Sequence, residues 1–158
     1  MDTIVDALNR LAGVLAGQVQ VTMLEGGTGR NVYQSFQSSI TGTNTATVWT
    51  PQTGRRYVLR GFAITAVVRT VLASASAHAL YFQDSGTGTP TVAPIGAYGA
   101  TDAIGTILTG SSGPFVCQLH EGVRGSAVDT VLRVAAGNDI GSGVIRFTGV
   151  VWGVEEST

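Results

Sequence analysis

The stretch TVLRVAAGNDIGSGVIRFTGVVWG, from Thr130 to Gly153, decides the fold class of this chain. It contains two runs rich in β-branched and aromatic residues, which favour strands, and a glycine-rich connector between them. The connector AAGNDIGSG lacks the GxGxxG pattern and the following helix of a phosphate site, and Asp139 is its single carboxylate where a calcium loop needs several. The stretch therefore predicts a β-hairpin whose connector turns the chain and binds no ligand.

The same alternation of short strand-like runs and turn-forming clusters continues from Gly26 to the C-terminus, as is typical of all-β domains. The sequence predicts a mainly β protein, with an antiparallel β-sandwich or jelly-roll-like domain over residues 18–158. The stretch from Ala93 to Gly113 is expected to be a long connection with at most a short strand near Thr106–Leu108. The expected strands are Val19–Leu24, Val32–Phe36, Ala46–Thr50, Arg56–Val71, His78–Gln83, Phe115–His120, Thr130–Ala136 and Val144–Val154.

Residues 1–17, MDTIVDALNRLAGVLAG, predict a short amphipathic N-terminal α-helix ahead of that domain. Thr3 and Asp6 fit a capping box, and Gly17 is a plausible end. Because so short a helix is marginal alone in water, its apolar stripe needs a partner, either its own domain or neighbouring copies in a small bundle. Acidic residues precede the first basic one, which argues against a signal peptide. The apolar stripe consists of Ile4, Leu8, Leu11 and Leu15.

Composition limits the function classes that this chain can serve. Its 158 residues suffice for one domain, and its charged fraction of 12% is about half of the typical value of about 25%. The hydrophobic fraction is 44% and the net charge is −1, so neither disorder nor general attraction to nucleic acid or anionic membranes is indicated. A surface with so little charge is typical of a protein that associates with other proteins.

Two of the expected strands are apolar on both faces. In VIRFTGVVW, Ile145, Phe147 and Val151 share one face, while Val150 and Trp152 lie on the other. In an antiparallel sandwich the outer face normally meets water, so a helix, a loop or a neighbouring subunit is expected to cover this one.

The long run from Arg56 to Val71 has the same character, since strict alternation puts Arg60 and Phe62 on one face and Leu59 on the other. Trimeric or similar cyclic packing is the preferred cover. The candidate interface residues are the helical Ile4, Leu8, Leu11 and Leu15, together with Arg60, Phe62, Arg146, Val150 and Trp152.

No motif in the sequence indicates catalysis, a cofactor or a metal. GxSxG, HExxH, CxxC and P-loop patterns are missing, and nothing in the spacing of His78 and His120 relative to the carboxylates supports a site. Cys117 shares a face with Phe115 and Leu119 and is expected to be buried. The sequence therefore favours a protein that is not an enzyme.

The helix MDTIVDALNRLAGVLAG, the Gly/Thr/Ser-rich body with little charge and the closing strand VIRFTGVVWGVEE resemble small accessory structural proteins of tailed bacteriophage virions. The resemblance implies a virion location, a β-sandwich or barrel that is commonly trimeric, and attachment to the major capsid protein or another virion protein, as in capsid decoration proteins. The alternative is a receptor- or glycan-binding module of a phage tail or spike. Its candidate ligand residues are Tyr98, Asp102, Gln83 and Asp84.

Overall fold

The computed structural model describes residues 29–72, 78–88, 91–98 and 114–157. The expected helix over residues 1–17 and the expected strand Val19–Leu24 lie outside these ranges. The described residues confirm a mainly β protein with two antiparallel sheets. Its strands are β1 (Gly29–Thr41), β2 (Ala46–Trp49), β3 (Arg55–Thr70), β4 (His78–Asp84), β5 (Thr91–Tyr98), β6 (Phe115–Arg124), β7 (Leu132–Ala136) and β8 (Val144–Ser157).

The strands form two four-stranded sheets, one in the order β1-β8-β3-β6 and the other in the order β2-β7-β4-β5. Strands that follow each other along the chain lie in different sheets, except β4 and β5, which pair directly. The pairs β4–β5, β3–β6, β2–β7 and β1–β8 are nested in the chain, as in one long hairpin that closes at β4–β5 and is rolled into two layers.

The core lies between the inner faces of the two sheets. Phe62 of β3 meets Phe82 of β4 edge to face, with ring centroids 5.0 Å apart. Burial of this apolar surface is the main force that holds the two sheets together. The largest fully buried side chains are Trp49, Tyr57, Phe62, Phe82, Phe147, Ile40, Leu59, Ile64, Leu80, Leu132, Ile140 and Ile145.

Strand β5 was not expected from the sequence, which placed a long connection from Ala93 onward. Thr91–Tyr98 pairs with β4 and forms the edge of its sheet. An edge strand tolerates Pro94 because one side of the strand needs no ladder hydrogen bonds. The inner residues Ala93 and Ile95 are buried, so this stretch belongs to the core.

The connector after β7 turns the chain, but it does not close a hairpin. Strands β7 and β8 lie in different sheets, so residues 137–143 cross from one layer to the other. The turn chemistry is as expected: the Asp139 carboxylate accepts a hydrogen bond from the Gly141 N–H at 2.8 Å, and Gly141 has a positive φ of 61°. The prediction of a hairpin was wrong because two consecutive strands can be linked equally well across a sandwich.

A β-bulge in β3 changes which residues of that strand face the core. The pairing of β3 with β8 shifts between Leu59 and Gly61, so Arg60 is an extra residue relative to β8. The pairing with β6 shifts at the same place, but there the extra residues lie in β6. Leu59 and Phe62 both point inward as a result, with exposures of 0% and 1%. Strict alternation therefore holds on each side of Arg60 but not across it.

Candidate assembly surface

The outer face of the β1-β8-β3-β6 sheet carries an apolar surface that spans all four strands. In one cross-strand row Tyr33 of β1 is opposite Trp152 of β8, and in the next row Val150 of β8 is opposite Ala63 of β3, which is opposite Val116 of β6. Tyr33 is 71% exposed and Val116 is 66% exposed, although both are large hydrophobic residues. We call these five residues the outer patch.

The outer patch is bordered by uncharged polar residues. Ser35 and Gln37 of β1, Thr148 of β8 and Gln118 of β6 are exposed on the same face. The next charged residue along β8 is the exposed Arg146, two positions beyond Thr148. An apolar centre inside a neutral polar rim is typical of surfaces that pack against other proteins.

Gly61 allows Trp152 to lie against the backbone of β3. A Cβ atom at Gly61 would collide with the six-membered ring of Trp152 and would lie 2.8 Å from the carbonyl oxygen of Cys117. The indole therefore occupies the space that a side chain at Gly61 would need, and it is half-buried. In the register of β1 and β8, Trp152 lies opposite the exposed Tyr33.

A buried polar network closes one end of the two sheets. The Asp84 carboxylate accepts hydrogen bonds from Tyr57 Oη at 2.6 Å, from Thr130 Oγ1 at 3.1 Å, and from the N–H and hydroxyl of Ser126 at 2.9 and 3.0 Å. The backbone N–H of Gly86 donates a further bond to it. The network thus joins β3 to the connections that follow β4 and β6.

The same contacts shift the pKa of both members of the Tyr57–Asp84 pair. Burial alone would raise the pKa of Asp84, but the hydrogen bonds from Tyr57, Ser126 and Gly86 outweigh it and hold that pKa below its ordinary value. Burial, followed by the bond to Asp84 and its negative charge, raises the pKa of Tyr57 far above its ordinary value. Asp84 is therefore ionised and Tyr57 neutral near pH 7, and both act in structure.

Near the same end, a second buried carboxylate links the two sheets. Glu155 of β8 is 1% exposed, and its Oε1 accepts a hydrogen bond from the indole N–H of Trp49 in β2 at 3.0 Å. Its Oε2 lies 3.7 Å from Nε of the half-exposed Arg30. A buried carboxylate is tolerated here because one oxygen has a direct donor and the other a nearby guanidinium.

The structure brings together only part of the interface set expected from the sequence. Val150 and Trp152 belong to the outer patch, and Arg146 is exposed on the same face. Arg60 is half-buried at the bulge. Phe62 is corrected: the bulge turns its side chain into the core, so it is not available at the outer face. The helical residues Ile4, Leu8, Leu11 and Leu15 lie outside the described residues.

The expected ligand residues do not form one cluster. Asp84 is 1% exposed and fully engaged in the network described above, so it is corrected from a ligand residue to a structural one. Gln83 is adjacent to it at the end of β4, whereas Tyr98 pairs with His78 at the other end of that strand. The two ends of β4, at His78 and Asp84, are six residue steps apart, about 20 Å. Asp102 lies outside the described residues.

Metal and membrane sites were also considered for the described part of the chain. Within it, no group of three or more His, Cys, Asp and Glu side chains is placed to hold a metal ion. No helix in those residues is long and apolar enough to cross a membrane.

Three members of the outer patch, Tyr33, Ala63 and Val116, were not among the residues expected from the sequence. The pattern did contain a signal for Val116, because alternation places it opposite the inward face of Phe115, Cys117 and Leu119, which pack against the core. Tyr33 could have been found in the same way, as the one apolar residue on the otherwise polar outer side of β1.

Comparison with known proteins gives no family for this chain. No protein-family model and no curated protein matches the sequence. Among solved structures, a chain of the "Cyanophage Pam1 capsid asymmetric unit" is similar over 86% of this chain and 94% of that one, with 19% sequence identity and a TM-score of 0.37. At that TM-score the likeness carries no argument about fold or function.

Proposed function

We propose that this chain is a non-enzymatic virion structural protein of a tailed phage, which associates with copies of itself, as a trimer, and attaches to the capsid as a decoration protein. The observation that carries the proposal is the outer patch. Large hydrophobic side chains with exposures of 71% and 66% stand on a regular sheet, inside a neutral polar rim. Burial against another chain would remove this surface from water.

The strand order supports the same assignment. The described residues form eight strands in two sheets, nested as β1–β8, β3–β6, β2–β7 and β4–β5, and we propose that this order is that of a jelly roll, a fold that occurs in viral capsid and lectin domains. Because fold alone does not specify function, the surface has to distinguish these uses. Of the described candidates, Gln83 and Asp84 lie at one end of β4 and Tyr98 pairs with its other end. Arg146, Val150 and Trp152, by contrast, share the outer face of one sheet.

Charge supports protein packing over electrostatic recognition. The outer patch contains no charged residue, and the whole chain has a net charge of −1. The outer patch is about 14 Å wide across the four strands, since neighbouring strands lie about 4.8 Å apart. A closed oligomer would multiply such modest contacts, because each subunit could engage the capsid lattice at the same time.

The test is cosedimentation with empty capsids of the phage that encodes the chain. Val116→Glu places a charge in the outer patch, and Gln118→Glu places the same charge two residues away on the same face of β6. We expect Val116→Glu to weaken capsid binding at least tenfold, which corresponds to about 1.4 kcal/mol, because the loss of self-association removes avidity. Gln118→Glu is expected to bind nearly as well as the unaltered chain. Equal binding by all three proteins would contradict the role of the outer patch.

A further inference from the structure

Two guanidinium groups meet one carboxylate at the end of the outer face of the β1-β8-β3-β6 sheet. Arg124 of β6 holds both oxygens of Glu156 in β8, with Nε 3.2 Å from Oε2 and Nη2 3.4 Å from Oε1. Nη2 of Arg56 in β3 lies 3.7 Å from Oε2 of the same carboxylate, which is longer than a hydrogen bond. We call Arg56 and Arg124 the arginine pair. The two parallel bonds from Arg124 have the geometry by which arginine recognises carboxylates.

The arginine pair lies on the same face as the outer patch. Arg56 is opposite Glu156 in the pairing of β3 with β8, and Arg124 is opposite Val58, two residues from Arg56 in β3. Strand β8 pairs with β1 without irregularity, so Glu156 shares a face with Trp152, four residues before it. Four residues of strand span about 13 Å. A protein that covers the outer patch can therefore reach the arginine pair by extending a short way along the strands.

The charge at this position is unbalanced. Two arginines share one carboxylate, and the side chain of Arg124 is 59% exposed while those of Arg56 and Glu156 are 30% exposed. Glu121, the carboxylate of β6, lies in the irregular part of that strand, and within the described residues it makes no ion pair with the arginine pair. A positive charge is therefore left over at this end of the face.

This arrangement favours a partner that supplies a carboxylate. An ion pair with an exposed member contributes little to stability because water competes for both groups, so a second carboxylate can compete with Glu156 for Arg124. An apolar or basic surface over the arginine pair would remove a positive charge from water without a partner, which is unfavourable. A surface that brings its own carboxylate gives each guanidinium group a counterion.

The partner that fits this face is a protein rather than a nucleic acid. Nucleic acids are bound by closely spaced basic residues, since a duplex carries a charge for about every 1.7 Å of its axis. Here Arg146 at the other end of the face is ten residues of β8 from Glu156, about 33 Å, and the outer patch lies between them. A protein can bury apolar side chains on the outer patch and place an acidic one at the arginine pair.

Another copy of the chain is a poorer source of this carboxylate. The exposed Asp129 and Asp139 accept hydrogen bonds from the backbone N–H groups of Gly54 and Gly141. Both carboxylates thus hold turns of their own chain, and a contact with the arginine pair of a neighbour would compete with those bonds. The capsid to which the chain is proposed to attach is the other source.

We propose that the arginine pair binds an acidic side chain of the capsid protein, in competition with Glu156, and is the attachment site beside the surface that joins copies of the chain. This inference rests on the proposed function, because it names the contact through which the capsid is bound. In a cyclic oligomer the arginine pair occurs once in each copy, on the same side of the ring. Contacts that are weak individually then act together.

Cosedimentation with empty capsids of the phage that encodes the chain tests this contact with two substitutions of opposite sign. We expect Arg124→Gln to weaken capsid binding at least about fivefold, because the bidentate guanidinium is lost. We expect Glu156→Gln to strengthen binding at least about threefold, because the competing charge is removed while the size of the side chain is kept. Arg69→Gln, at an exposed position near the other end of β3, makes the same change in charge as Arg124→Gln and should bind like the unaltered chain.

Unchanged binding by Arg124→Gln, or weaker binding by Glu156→Gln, would overturn this inference and leave the proposed function standing. The second result would mean that the ion pair only stabilises the fold. A lower mass of Arg124→Gln than of the unaltered chain in light scattering would also overturn it, because the arginine pair would then join copies. Binding of the unaltered chain to a DNA duplex that is lost in Arg124→Gln would assign the arginine pair to nucleic acid. Failure of the unaltered chain to bind capsids would contradict the proposed function itself, and this inference with it.

Discussion

Asp84 connects β3 with two chain connections through one carboxylate, and the stability of that end of the molecule depends on it. Five hydrogen bonds converge on its two oxygens, from Tyr57, Gly86, Ser126 and Thr130. Hydrogen bonds to a buried charged group are stronger than those between neutral groups. The role of Asp84 is therefore structural, although the sequence analysis counted it among the candidate ligand residues of a glycan-binding module.

Replacement of Tyr57 by Phe tests the strength of the bond to Asp84. We expect Tyr57→Phe to lower the free energy of unfolding by about 2 kcal/mol, because a hydrogen bond to an ionised, buried acceptor is lost. Tyr81→Phe, on a half-buried tyrosine of β4, is the control and should change the value by less than about 0.5 kcal/mol. Urea unfolding at pH 7 measures both. Equal effects of the two substitutions would contradict a special role for the Tyr57–Asp84 bond.

The pKa of Asp84 predicts how stability depends on acid. Because its pKa is lower in the folded than in the unfolded chain, its contribution is complete above the unfolded value of 3.8 and is lost as pH falls through the folded pKa. The unaltered chain should lose stability progressively below about pH 4. In Asp84→Asn this acid-dependent loss should be smaller, from a lower starting stability. Thermal unfolding between pH 7 and pH 2 measures this loss of stability in both proteins. An identical dependence on pH in the two would show that other carboxylates dominate the acid-dependent loss.

The raised pKa of Tyr57 predicts how stability depends on alkaline pH. Its pKa is raised on folding, so its contribution is complete below the unfolded value of 10.0 and is lost as pH rises beyond it. The unaltered chain should therefore lose stability above about pH 10, and Tyr57→Phe should lose less over the same interval. Urea unfolding between pH 9 and pH 11 tests the difference. A steeper alkaline loss in Tyr57→Phe than in the unaltered chain would contradict this assignment.

The contact between Gly61 and Trp152 depends on the absence of a side chain at position 61. We expect Gly61→Ala to lower the free energy of unfolding by about 1–3 kcal/mol, because the new methyl group collides with the indole ring. Gly137→Ala is a matched control, since its Cβ would meet nothing closer than 3.6 Å. In the double variant Gly61→Ala/Trp152→Ala the cost of the added methyl group should largely disappear. If that cost persists without the indole, the strain comes from the backbone of β6.

At the scale of elements, alternation in single strands predicted faces well where a strand is regular. In β8, Ile145, Phe147 and Val151 are fully buried and Val150 and Trp152 lie on the outer face, as the pattern indicated. Strand β6 behaves in the same way from Phe115 to Leu119, and its pairing with β3 is irregular beyond that point. In β3 the rule failed, because one extra residue reverses the two faces and nothing in the run RRYVLRGFAITAVV marks Arg60 as that residue.

The remaining differences have similar physical origins. Strand β5 was missed because its Pro94 and neighbouring glycine resemble turn residues, and only its position at a sheet edge makes them acceptable. The partners of each strand could not be predicted either, because pairing depends on contacts between distant segments. Tyr57 and Asp84 are 27 positions apart, and Trp49 and Glu155 are 106 positions apart. No local pattern contains such information.

The bond between Trp49 and Glu155 gives a prediction for the link between sheets. Glu155→Ala leaves the buried indole N–H without its acceptor and opens a cavity, so we expect a loss of about 3 kcal/mol in the free energy of unfolding. Glu155→Gln retains an acceptor oxygen for Trp49 and loses only the longer-range attraction to half-exposed Arg30, so its effect should stay below about 1 kcal/mol. Chemical denaturation compares the two. Equal losses would mean that charge, rather than the hydrogen bond, is what this position supplies.

At the scale of the whole molecule, two observations agree. The low charge of the chain and the exposed apolar patch on one sheet are both typical of a surface that packs against other proteins. At one end, the buried carboxylate of Asp84 is held by hydrogen bonds, and that of Glu155 by one hydrogen bond and the nearby Arg30. The inner faces of the two sheets are buried in the core between them. The outer patch is the large apolar surface that these arrangements leave exposed among the described residues. The proposed self-association would remove this surface from water.

The mass in solution of the unaltered chain of 158 residues tests this account most directly. Light scattering over a range of concentrations should give a multiple of the chain mass of 16.2 kDa, with three copies as the expected stoichiometry. The outer patch should then be protected from surface labelling at Tyr33. A mass of 16.2 kDa at every concentration, with Tyr33 open to labelling, would contradict the claim that another copy of the chain covers this face.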